Sequence, residues 1–71
     1  MEEVKFEIVD HIFSLPSSST FHKELNKISW NNRDPVYDLR GWNEDRTKMT
    51  KGITLSEKEF EAFISKIKEV F

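Results

Sequence analysis

The chain has 71 residues, 13 acidic against 11 basic for a net charge of −2, two histidines and no cysteine. That is a single domain, residues 1–71, with a small core; it excludes a disulfide framework and a thiolate zinc site, and two histidines cannot close a metal site alone. No apolar run approaches the roughly 20 residues of a membrane span, and Glu2 and Glu3 are the opposite of a signal peptide's basic start, so a cytoplasmic protein, free or at the nucleoid, with no membrane contact is expected.

Residues 4–15, VKFEIVDHIFSL, begin with strict alternation, Val4, Phe6 and Ile8 against Lys5 and Glu7, the period of a half-buried strand. Val9, Ile12, Phe13 and Leu15 break that phase. This predicts a bulge or strong bend near Val9 to His11, or a second half covered on both faces. PSSST at 16–20 is loop composition. In FHKELNKISW, residues 21–30, Phe21 and Leu25 fall on one parity and Ile28 and Trp30 on the other, the pattern of a strand with a register change, with a helix as the alternative. NNRDP at 31–35 is turn chemistry, and Pro35 opens the next strand.

Residues 36–42, VYDLRGW, alternate cleanly, with Tyr37 and Leu39 on one face and Asp38, Arg40 and Trp42 on the other. After the polar NEDR, residues 47–55 read as a last strand in which Gly52 permits a bend or a close backbone approach. Ser56 is a good N-cap, Glu59 completes a capping box, and Leu55 and Phe60 form a hydrophobic staple. From Glu57 a helix then carries Phe60, Phe63, Ile64, Ile67 and Phe71 in one stripe. The expectation is an α+β fold, a four-stranded antiparallel sheet with one C-terminal helix on one face. One helix cannot cover that face and also hide Val70 and Phe71, so a homodimer is expected.

Charge is unevenly spread: Glu57, Glu59 and Glu61 open the helix, while residues 46–56 hold Arg46, Lys48 and Lys51 and nothing acidic. If Tyr37 and Leu39 point into the core, Arg40 and Trp42 lie on the outer face, and two readings compete. In one, Trp30 and Trp42 form a packed satellite cluster with Arg40 paired to Asp38. In the other they are a platform for unpaired bases, with Lys23, Lys27, Lys48 and Lys51 following the phosphates. A rival from another class is a module docking a peptide or polymerase surface on the same Trp and Arg face. For catalysis, His11 and His22 lie in no motif with a nucleophile or Gly-rich turn, so no enzyme and no cofactor are expected.

The pieces KELN (23–26), SWN (29–31), YDLRGW (37–42) and KMTKGITL (48–55) resemble the C-terminal domain of the transcriptional positive cofactor four family and, more closely, its bacterial YdbC-type relatives. The resemblance implies a curved four-stranded antiparallel sheet followed by a helix, assembled as a homodimer. It also implies sequence-tolerant binding of single-stranded DNA, with RNA not distinguished, in transcription, replication or repair, and transcription or replication proteins as further partners. Carried over residue by residue, it implies base stacking by Trp30 and Trp42, strand-facing charges at Arg40, Lys48 and Lys51, and Lys23 as a likelier contact than Lys27.

Overall fold

The computed structural model describes residues 5–71; Glu2, Glu3 and Val4 lie outside the described residues. It contains β1 (Phe6–Ser14), β2 (His22–Trp30), β3 (Val36–Trp42), β4 (Ile53–Leu55) and α1 (Glu57–Val70). The strands form one antiparallel sheet in the order β1-β2-β3-β4. The α+β class read from the sequence is what the structure has.

Strand β1 pairs with β2 through register shifts between Ile8 and Asp10 and between His11 and Phe13, where the broken alternation predicts a bulge. The register change expected within 21–30 is absent, and so is a helix there: β2 pairs with β3 without a slip from His22↔Trp42 to Ile28↔Val36. Its parity switches because it is buried on both faces, by Leu25 on one and Ile28 on the other. Asn31 and Asn32 both take positive φ, 51° and 62°. With the Arg33 N–H donating to the Trp30 carbonyl at 2.9 Å, they form a type I′ turn, whose twist suits a hairpin. The expected last strand over 47–55 is shorter: Met49 only bridges Trp42, and β4 proper is Ile53–Leu55. In α1 the Ser56 hydroxyl accepts from the Glu59 N–H and the Glu59 carboxylate from the Ser56 N–H, the capping box that the spacing predicts.

The sheet is strongly curled. Phe6 sits opposite Trp30 at one end of β2, and Trp42 opposite His22 at the other. Yet the rings of Phe6 and Trp42 are 5.3 Å apart, so the face away from the helix is hollow and closes on itself. The fully buried side chains, Trp42, Ile28, Glu24, Asn26 and Asp38, all lie on that hollow face. This corrects the sequence reading, which put the core under Tyr37 and Leu39 and left Asp38 and Trp42 outside. Tyr37 and Leu39 do face α1, and Tyr37 stacks on Phe60 at 3.9 Å, but no residue of α1 is buried. Around α1 an apolar groove lined by Ile12, Phe13, Ile53, Phe63 and Ile67 stays open.

Gly52 lets the chain pass against β3. A Cβ there would collide with the Arg40 Cβ and the Leu39 carbonyl oxygen, and backbone cannot yield as a side-chain tip does. Gly52→Ala is expected to destabilise the fold by about 3 kcal/mol, read as a lower urea midpoint.

Candidate nucleic-acid interface

The hollow face ends in an aromatic cluster. Phe6 packs against Trp30 at 5.6 Å and 43°, and against Trp42 at 5.3 Å and 44°. The Arg40 guanidinium carbon stands 4.8 Å from the centre of the Trp30 ring, within range of a cation–π attraction. Its Nε and Nη2 donate to the two carboxylate oxygens of Asp38, both at 2.7 Å, while Nη1 points to the Met49 sulfur at 3.5 Å. Asp38 is fully enclosed and Arg40 is 15% exposed. Trp42 has no exposed surface and Trp30 is half-buried. The indole N–H groups of both tryptophans are buried without an acceptor.

The structure brings only some of the expected site residues together. Trp30 and Arg40 form one unit, and residues 48–52 run beside it, with Met49 and Gly52 touching Arg40. Lys48 and Lys51 are exposed on that segment. Lys23 is exposed too, but it pairs with Gly41 and shares the parity of Leu25 on the helix side. Lys27 lies on that side as well, its amine 5.2 Å from the centre of the Tyr37 ring. Neither lysine shares a face with Trp30.

A second cluster, invisible in the sequence, holds the other half of the hollow face. Glu24, only 2% exposed, accepts from His22 Nε2 at 2.8 Å, Asn26 Nδ2 at 3.1 Å and Arg46 Nε at 3.1 Å. His11 reaches it from β1, its Nδ1 2.6 Å from Asn26 Oδ1 and 3.6 Å from Glu24 Oε1. Arg46 adopts φ 58° to make its contact. The turn it sits in carries Lys48, whose N–H donates to Asn43 Oδ1 at 2.9 Å. Glu24 therefore ties β1, β2 and the lysine-bearing turn together.

Burial pushes the Glu24 carboxyl up, but the hydrogen bonds from Asn26, Arg46 and His22 and the charge of Arg46 outweigh it and hold it below its ordinary value of 4.5. Since the depressed value belongs to the folded state, Glu24 contributes stability above about pH 4.5, and that contribution is lost as pH falls through the folded value.

Fold and site together define a small α+β domain with an arginine–aromatic rim; among the described residues no group of His, Cys, Asp and Glu is arranged to hold a metal ion. The chain belongs to the transcriptional coactivator p15 (PC4) family, whose model matches residues 18–66. The family is described as one of transcriptional coactivators. The chain is also similar to an uncharacterized protein of Treponema pallidum (strain Nichols), 46% identical over 46 residues, which cover 65% of this chain and 54% of that protein. It thus spans about half the length of that curated relative.

Glu24→Gln is expected to lower the thermal midpoint at neutral pH and to flatten its fall below about pH 4.5; parallel acid limbs in the two proteins would count against the network.

Proposed function

We propose that this chain binds single-stranded DNA with little sequence preference, as a homodimer, and that it is of the YdbC type within its family. The observation that carries the reading is the Trp30–Arg40 stack at the rim of the hollow face, beside an exposed segment bearing Lys48 and Lys51. Trp30 offers a ring to unpaired bases, and Lys48 and Lys51 neutralise phosphates. Arg40 holds the stack and adds a charge already half-satisfied by Asp38. Trp42 acts from behind as the floor of the cluster, and Lys23 meets the strand only where it leaves the sheet end. RNA presents the same ring faces and phosphates and is the second ligand to titrate. Such a protein acts in the cytoplasm at transiently opened duplex, in transcription, replication or repair.

Support for the homodimer comes from the helix side. Ile12, Phe13, Ile53, Phe63 and Ile67 are 40, 46, 57, 46 and 39% exposed around one groove, a contiguous apolar surface of the kind that marks an interface. A second copy supplies the matching apolar surface by two-fold symmetry.

The deciding experiment is a titration with matched single-stranded and duplex oligonucleotides at several salt concentrations. Lys48→Ala and Lys51→Ala should each flatten the salt slope by roughly 0.7 for every phosphate the variant leaves unneutralised, and Trp30→Ala should weaken binding by roughly 1 to 3 kcal/mol. A protein partner releases no such counterions on docking, so a salt-independent ligand would favour the docking module instead. Arg40 requires a paired design. Arg40→Ala alone strands the buried Asp38 carboxylate, at a cost of about 3 to 5 kcal/mol in stability, so it is compared in an Asp38→Asn background.

Light scattering should give twice the 8.5 kDa chain mass, and Ile67→Asp should halve it; a monomeric parent protein would overturn the assembly.

A further inference from the structure

We propose that Phe6 is a base-stacking residue of this site, with Trp42 as its fixed backing. The inference rests on the single-strand-binding reading above and names the aromatic surface that reading leaves open. Of the three rings in the cluster, Trp42 has no exposed surface, Trp30 is half-buried and Phe6 is 37% exposed. The sequence pattern points to two tryptophans, but the surface that solvent reaches is shared by Trp30 and Phe6.

Phe6 is also held in place before any ligand arrives. It packs on both indoles, and its strand is tied to the β2–β3 turn by the Asn31 N–H donating to the Lys5 carbonyl at 2.7 Å and the Lys5 N–H donating to Asn31 Oδ1 at 3.1 Å. A ring already ordered in the free protein gives up little entropy on stacking. Beside it lies a shallow notch lined by Lys5, Phe6, Glu7, Ser29 and Asn32. Lys5 and Glu7 offset one another there, so it is the Phe6 ring, not a net charge, that receives the base. Residue 6 lies outside the residues 18–66 that the family model matches.

The test is the affinity of the full chain for a short fluorescein-labelled oligothymidylate, with thermal midpoints measured alongside. Phe6→Leu keeps an apolar cover on Trp42 but removes the flat ring. It should bind about tenfold more weakly, the loss of one stacked base, with its thermal midpoint close to wild type. Phe6→Tyr should restore the affinity. Phe6→Trp should add emission that the oligonucleotide quenches beyond the wild-type change, a readout that holds even if the leucine variant folds poorly. Wild-type affinity in Phe6→Leu, or no added quenching in Phe6→Trp, overturns the assignment while leaving the single-strand reading intact. Tighter binding by Phe6→Ala overturns it too, since Phe6 would then be a lid. If the wild-type protein binds no single strand, the underlying reading falls and this assignment with it.

Discussion

The curl of the sheet governs everything else in this molecule. Eight residue steps along β2 span about 26 Å if the strand is flat, yet rings opposite its two ends touch at 5.3 Å. Two irregularities in β1 bend that strand and raise its twist, and Gly52 lets the chain lie against the β3 backbone. Curling converts one face of a four-stranded sheet into an interior. A flat sheet of this size would need its helix to make a core, and here the helix buries none of its own residues.

A hollow closed around polar strands must satisfy their side chains, and this decides which cations remain free. Arg40 is engaged by Asp38, and Arg46 by Glu24. Arg40 is spent on its buried carboxylate through two hydrogen bonds, as a planar fork allows, while Arg46 gives Glu24 one and stays 40% exposed. Among the described residues, Lys48 and Lys51 beside the rim are in no ion pair. The arginines order the site and the lysines give it a field, a division consistent with a chain whose net charge is −2. Glu24 links the two tasks, because the turn it fixes through Arg46 is the turn that carries Lys48.

Local signals in the sequence were legible because they depend on neighbours in the chain. Ser56 and Glu59 define the helix start, the broken alternation after Ile8 marks the bulge, and Asn31–Asn32 marks the turn. Which face of the sheet forms the core was not legible. Tyr37 and Leu39 alternate against Asp38, Arg40 and Trp42, and period two separates the faces without saying which one closes. Curvature settles that, and it arises from contacts distant in sequence, such as Phe6 with Trp42. The lysines were legible by contrast: Lys23 lies on the same strand as Trp30 but shares parity with Leu25, a signal present in the sequence. Phe6 reads as an ordinary inward residue of an alternating strand, and only the rings behind it show that it is the outermost of three.

The curl also separates the two surfaces that the molecule leaves unfinished. The apolar groove lies on the helix side and the arginine–aromatic rim on the hollow side, with the thickness of the sheet between them. In the proposed dimer, covering the first does not touch the second, so each protomer keeps its own rim. Two rims on one rigid body can then engage one strand at separate points, and the second engagement is intramolecular, with an effective concentration set by the length of strand between them. Affinity per rim then depends on Phe6, Trp30 and the lysines, while dependence on oligonucleotide length depends on the groove around Phe63 and Ile67. A strand too short to span both rims isolates the first from the second.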